Sequence, residues 1–359
     1  MNQATRWTNV LQDQRAVLLS LAAVVGALVL GLLLVAAIGV PMGDAVAAFA
    51  DGAWGSPYAL AASINRSLVF TLVGLGFVLA NRANLTNVGG EGQIAIGAIA
   101  ATAVCLHPGV AGLPVGLGFV LPMLAACVCG GLWGALIGLL KVKVGTNEVI
   151  SSLMLSFIGV WLLYGSVQSE ALLRQPMTSS STLPESLEIP DPTKLPLLTG
   201  DAGMPLHWGL PLGIVLAVLV AVVLHRTVFG LRLKAVGLNA LAARKAGIAI
   251  APAIVGVFFA AGALGGLAGS MMLQGEQYSL KAGFSSGYGF DGLVVGLLAR
   301  GSVIGVVAGA LLFGFIRSGG INMEMTANVP SSLVLVIQGV IIVALAGSAR
   351  WMDKKGAAR

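Results

Sequence analysis

Charge is scarce in this chain. Asp, Glu, Lys and Arg make up 9% of its 359 residues, about a third of ordinary soluble usage, which is too few to cover a water-exposed surface. Cysteine is nearly absent too. Cys105, Cys127 and Cys129 all lie inside apolar runs, and His107 is the one potential co-ligand close by. That pattern excludes a disulfide framework and a metal centre, and it leaves the three thiols as small packing groups. The chain has no Gly-x4-Gly-Lys-Ser/Thr loop to cradle phosphates, no His-Glu-x-x-His, and no Ser/His/Asp set that converges. Its histidines, His107, His207 and His225, fall near the ends of apolar runs. No enzyme, no cofactor and no bound metal is expected.

What is abundant is apolar residues (57%) and glycine (50 residues), with a mean hydropathy of +0.95. Glycine at that level suits helices that pack closely in lipid. The expected fold is an all-α polytopic membrane protein, a single transmembrane domain over residues 1–359 whose neighbour is membrane lipid. The net charge of +6 does not signal nucleic acid, because the basic residues stand in segments flanking the apolar runs. The first run, 16–40, exceeds the core of a signal peptide and reads as a retained span.

Lengths near 20 apolar residues, ended by charge, Pro or Gly, predict about ten spans. They fall at roughly 16–40, 67–80, 92–107, 114–140, 149–167, 208–225, 248–272, 289–300, 302–317 and 331–348. The segment 225–247 carries five Lys/Arg and no acid, so it is expected on the cytoplasmic side. The segment 168–207 carries five acids against two bases and is expected outside. With ten spans, Lys141, Lys143 and both termini, bearing Arg6, Arg15, Arg350, Lys354, Lys355 and Arg359, all come out cytoplasmic. Every informative loop agrees with that parity.

Two spans, 67–80 and 289–300, read as short, and each borders a Gly-rich acidic segment: Asn87-Val-Gly-Gly-Glu-Gly-Gln93 and Gly287-Tyr-Gly-Phe-Asp-Gly292. Gly-interrupted segments at matching places in two halves point to a translocation path. A weak internal repeat supports the pairing: Gly134-Ala-Leu-Ile-Gly-Leu-Leu-Lys141 resembles Gly309-Ala-Leu-Leu-Phe-Gly-Phe-Ile-Arg317. Spans 2–5 and 7–10 then form an inverted repeat. The path residues expected are Asn87, Glu91, Gln93, Ser285, Ser286 and Asp291. Glu91 and Asp291 have two readings, helix cap or path residue. Thr146, Asn147 and Glu148 likewise read either as a helix start or as a cytoplasmic gate.

Four segments in order, Asn87–Gln93, Gly145-Thr-Asn-Glu-Val-Ile150, Leu231-Arg-Leu-Lys-Ala-Val-Gly-Leu-Asn-Ala-Leu-Ala-Ala-Arg-Lys-Ala-Gly-Ile248 and Gly289-Phe-Asp-Gly292, resemble the permease subunit of nucleoside-type ABC importers. These belong to the wider ribose and branched-chain amino-acid ABC permease group. The resemblance runs from about residue 65 to 348. It implies a multi-pass protein of a bacterial inner membrane, partnered by ATP-binding subunits, a second homologous permease subunit and an extracytoplasmic substrate-binding lipoprotein. It also implies that a cytoplasmic helix within 225–247 docks on the ATPase through Arg232, Ala235, Val236, Gly237, Asn239, Ala242, Ala243 and Gly247. Ala240 departs from the turn-former often found after that Asn. The implied cargo is a nucleoside or related neutral solute. A simple sugar or a branched-chain amino acid is the alternative within the group, and a proton-coupled carrier using Glu91 and Asp291 is the alternative outside it.

Overall fold

The computed structural model describes residues 25–26, 29–31, 33–176, 183–330, 332–340 and 343. The expected N-terminal span start, the charged termini and residues 177–182 of the acidic loop lie outside the described residues. All regular structure among the described residues is helical, apart from isolated bridges. The helices in chain order are α1 (Met42–Trp54), α2 (Pro57–Arg82), α3 (Gly90–Cys105), α4 (Pro108–Ala111), α5 (Val115–Val144), α6 (Glu148–Gln168), α7 (Gly209–Arg226), α8 (Val228–Leu238), α9 (Ala240–Lys245), α10 (Ile250–Met272), α11 (Tyr288–Leu298) and α12 (Val303–Ala327). A single π-turn, Leu273–Gln277, continues α10.

Six of these are long and apolar enough to cross a membrane: Pro57–Arg82, Gly116–Val144, Glu148–Gln168, Gly209–Arg226, Ile250–Gln277 and Val303–Ala327. Two shorter apolar helices, Gly90–Cys105 and Tyr288–Leu298, accompany them. One expectation is corrected here. The run at 67–80 is not short, because the helix extends from Pro57 through polar positions that sequence reading takes as a span end. Within the helix Ser67 and Thr71 donate their hydroxyls to Ser63 O (2.7 Å) and Ser67 O (2.8 Å), and Asn65 Nδ2 in the extension donates to Pro205 O (2.7 Å). The short helix of the first half is α3, which starts inside the Gly-rich segment itself.

The contacts divide the chain into two units, residues 1–60 with 315–359 and residues 61–314. In the first unit Val35, Ala45, Ala48, Met323, Val329 and Val334 form a buried apolar cluster. Asn322 Nδ2 donates to Ala48 O (2.7 Å), tying α1 to the end of α12.

The second unit is organised around α10, packed against α5 and α3. These helices touch at backbone distance. Gly97 faces Gly266, Gly130 and Gly134 face Gly262, and Gly269 faces the Ile94 carbonyl, so that a Cβ at any of these sites would overlap the opposite backbone. Small residues at such crossings replace the hydrophobic driving force that lipid cannot supply. Gln274, fully buried on the π-turn, accepts from Ser270 Oγ (2.5 Å) and donates to Phe119 O (3.1 Å) and Thr193 O (2.6 Å). One side chain therefore clamps α5, α10 and the acidic loop together. The loop is anchored further by its own backbone: Ser186 N donates to Leu280 O (2.8 Å), Ile189 N to Tyr278 O (2.8 Å) and Leu195 N to Gln274 O (2.9 Å).

Candidate functional site

The two Gly-rich acidic segments stand in contact. Chain entering α3 has no helical partner for its backbone, and serines of α6 supply one: Ser152 Oγ accepts from Val88 N (3.0 Å) and Ser156 Oγ donates to Val88 O (3.0 Å). Gly92 and Gly159 let α3 and α6 approach closely enough for this. Glu91, 5% exposed, then reaches across to the other segment. Its Oε1 accepts from Gly287 N (2.9 Å) and its Oε2 from Gly289 N (2.7 Å). The carboxyl group thus caps the start of α11, not of its own helix, and meets the positive end of that dipole. Gly90 and Gly289 are in backbone contact beneath it, leaving no room for a Cβ at Gly289. Asp291 is half-buried in the first turn of α11, its N–H donating to Gly287 O (3.0 Å).

The other expected path residues behave differently from one another. Asn87 and Gln93 are buried and spend their amides on each other, with two reciprocal bonds of 3.3 Å, while Asn87 Oδ1 also accepts from Gly89 N (2.9 Å). Ser285 is buried and its carbonyl accepts from Tyr288 N (2.8 Å). Ser286 is exposed, has φ +42°, and donates its hydroxyl to Gly283 O (2.6 Å).

Several polar groups near this crossing were not singled out from the sequence. Arg66 stands nine residues into α2, about 13 Å along the helix, and acts electrostatically on Glu276 of the π-turn. Arg66 precedes the run expected at 67–80 and Glu276 follows the one expected at 248–272, and the helical segments Pro57–Arg82 and Ile250–Gln277 take in both. One turn on from Arg66, Phe70 stacks on Tyr288 with ring centroids 4.9 Å apart and 10° between planes. Beside the acidic loop a cavity of about 380 Å³ is lined by Gln175, Glu185, Ser186, Glu188, Gln277, Tyr278 and Ser279. Lys194 at this end lies over the Tyr278 ring (4.9 Å) and holds Asp191 (2.8 Å) and Glu188 (2.7 Å), two carboxylates that raise its pKa above the ordinary value. His207 is buried against Gly275 with Nδ1 accepting from Gly209 N (3.1 Å), and burial pushes its pKa down to about 4.

At the segment after α5, Asn147 Oδ1 accepts from Val149 N (2.9 Å) and Ile150 N (3.4 Å), which makes it the cap of α6. Thr146 Oγ1 accepts from Ser151 Oγ (2.9 Å), and Glu148 pairs with Lys141 (2.6 Å) across the α5–α6 turn.

The basic segment holds two helices, α8 and α9, where one was expected. Asn239 breaks them with an extended backbone (φ −160°, ψ 102°) and caps α9 through Oδ1 to Ala242 N (3.0 Å). Ala240 is simply the first residue after that cap. Gly237 rests on residues 82–84, where a Cβ would come within 2.6 Å of Arg82 O, and Val236 and Ala243 are buried. Ala235 is half-buried. Gly247 ends the segment at φ +80°. The opposite face exposes Leu231 (66%), Leu238 (78%) and Leu241 (65%) beside Arg232, Lys234, Arg244 and Lys245, with Ala242 exposed among them. The result is an exposed apolar patch rimmed with positive charge.

Among the described residues no group of His, Cys, Asp or Glu could hold a metal ion. The fold and this geometry define a polytopic helical membrane protein with a glycine-rich crossing inside. Residues 59–346 match the family described as the branched-chain amino acid transport system permease component, and the chain belongs to that family. It is a transport component and not an enzyme. It is similar to a glucose ABC transporter permease protein of Haloferax volcanii (34% identity, covering 81% of this chain and 76% of the relative). It is also similar to the guanosine ABC transporter permease protein NupP of Bacillus subtilis (30%, covering 92% and 93%) and to the nucleoside ABC transporter permease protein NupB of Lactococcus lactis (28%, covering 91% and 90%). No solved structure matches the chain.

Proposed function

We propose that this chain is the membrane-spanning permease of an ATP-driven importer that carries a nucleoside into the cytoplasm of a bacterium. The observation that carries the reading is the α8–α9 pair. Gly237 seats α8 directly on the turn that follows α2, so force applied to the exposed Leu231, Leu238 and Leu241 face is passed to the backbone leading into α3 and the Glu91 bridge. ATP-binding subunits are the partners that such a face suits. The likeness to guanosine and nucleoside permeases over about nine-tenths of the chain supports a nucleoside as cargo. The glucose permease relative keeps a sugar as the second reading. A proton-coupled carrier fits less well, because both Glu91 oxygens are engaged as a cap.

Under this reading the chain crosses the membrane ten times, the segments before α3 and α11 completing two crossings whose helices are short. Spans 2–5 and 7–10 are inverted repeats, and 168–207 faces an extracytoplasmic substrate-binding lipoprotein. Both termini are cytoplasmic, and a second homologous permease completes the pore. The test is reconstitution in proteoliposomes with the ATPase and binding protein encoded beside it. Uptake of labelled guanosine should require ATP and all subunits. Uptake by the permease alone under a proton gradient would refute the importer reading, and ATP-driven uptake of glucose but not guanosine would replace nucleoside with sugar.

A further inference from the structure

The chain between α2 and α3, residues 83–89, is a strap tied to its surroundings by side chains. α2 stops where Leu85 N donates back to Ala80 O (3.1 Å), with Asn84 at φ +56°. Residues 85–88 have no regular structure, so their N–H and C=O groups depend on side chains for partners. One helix supplies them. Thr86 N–H donates to the Glu148 carboxyl group, Val88 N donates to Ser152 Oγ (3.0 Å), and Val88 O accepts from Ser156 Oγ (3.0 Å). Glu148, Ser152 and Ser156 stand four residues apart and so form a single ridge of α6. From another side Gly237 of α8 rests on the backbone of residues 82–84. Two residues, about 7 Å of extended chain, separate the point where α8 presses from the point where α6 grips.

The members of the ridge are not equivalent. A hydroxyl is both donor and acceptor, so Ser152 and Ser156 can pair with either kind of backbone group if the strap slides along α6. A carboxylate only accepts, and it pairs only with an N–H. Glu148 therefore selects one register of the strap. Lys141 of α5 fixes the carboxylate in turn, with Nζ 2.6 Å from Oε2 and the Glu148 side chain 15% exposed. We propose that Glu148 is a positioning residue of the transport cycle, a latch that holds the 83–89 strap in register on α6. Motion of α8 is then delivered to α3 and the Glu91 bridge and is not lost as slippage. This rests on the importer reading above and extends it to the step between ATPase and path. Its consequence is specific: without the latch the ATPase still turns over, because α8 and its exposed side chains are unchanged, but each ATP moves less cargo. An ion pair that merely closed the α5–α6 turn would contribute little and leave that yield alone.

The test uses the complete importer in proteoliposomes and reads cargo taken up per ATP hydrolysed in response to the binding protein. Hydrolysis that needs the binding protein comes from assembled complexes, so misfolded permease drops out of the ratio. The cargo is whichever of labelled guanosine and labelled glucose the wild-type complex imports. Glu148→Leu should lower the ratio by about tenfold, the scale of one lost hydrogen bond to a charged group. Glu148→Gln, which keeps an oxygen for Thr86 N, should regain most of that loss. The decisive variant exchanges the pair, Lys141→Glu with Glu148→Lys. It restores an ion pair, but an ammonium cannot accept from Thr86 N, so the ratio should stay near that of Glu148→Leu. A wild-type ratio in the exchanged variant would mean a plain ion pair and overturn the latch, and so would a wild-type ratio in Glu148→Leu. If the Leu variant fails to insert, the exchanged pair decides alone. Absence of ATP-driven uptake of both solutes by the wild-type complex would overturn the importer reading and the latch together.

Discussion

Glu91 shows how one buried side chain joins two helices, standing on α3 and capping α11. Its two oxygens satisfy Gly287 N and Gly289 N, groups that nothing else in an apolar surrounding would pair. Glutamine keeps one acceptor and turns an amide donor toward the other N–H. Glu91→Gln should therefore cost about 1–3 kcal/mol, seen as a lower unfolding midpoint of the purified permease in detergent. An unchanged midpoint would show that the bridge carries no stability. His207 makes a prediction in pH. Its folded pKa of about 4 lies below the ordinary value of 6.5, so between those values the unfolded chain binds the extra proton. Stability from this group is complete above pH 6.5 and falls by up to about 3 kcal/mol as pH drops toward 4. In His207→Asn, which keeps an acceptor for Gly209 N, the unfolding midpoint should vary less between pH 7 and 4.5. An identical pH dependence in the two proteins would discount the histidine.

Among the elements, α8 and α9 meet at Asn239, whose extended backbone separates them and whose side chain caps α9. Gly237→Leu would drive a side chain into Arg82 O and the Ala83 carbonyl carbon, 2.6 and 2.9 Å from the Cβ position, and so lift α8 off the turn it presses on. Uptake should fall to background while the permease still inserts and still binds its ATPase, measured by co-purification. Normal uptake in this variant would remove α8 from the coupling route. Asn239→Ala removes the α9 cap and should cost about 1 kcal/mol, with a smaller effect on uptake. The cytoplasmic placement expected of this segment rests on five bases without an acid, a charge signal that does not depend on tertiary arrangement. Its division into two helices was less legible, since a lone Asn inside a helical pattern reads as easily as a surface residue as it does as a cap. The length of α2 was misread for a related reason. Arg66 marks a span end by hydropathy, and only the partners around it in the folded bundle make its burial tolerable.

For the whole molecule, the expected topology gives a direct test. Asp201 and Lys245 are both exposed, in the acidic loop and in α9. In a cysteine-free background, Asp201→Cys should react with an impermeant thiol reagent added outside intact cells, and Lys245→Cys only after the cells are opened. The reverse pattern would invert the orientation. Composition, charge asymmetry and the positions of Pro and Gly were enough to establish that this is a helical membrane protein and where most helices begin and end, because hydropathy and turn chemistry are local properties. The same is true of the two Gly-rich segments, whose acids and glycines mark them without reference to anything distant. What the tertiary structure alone decided is which groups remain unpaired once the helices are packed. Asn87 and Gln93 are bonded to each other, whereas Asn65, Glu276 and Gln277 each keep an oxygen without a donor. Hydrogen-bond satisfaction depends on partners some two hundred residues apart in the chain, as Glu91 and Gly289 are, and no local pattern encodes such a pairing.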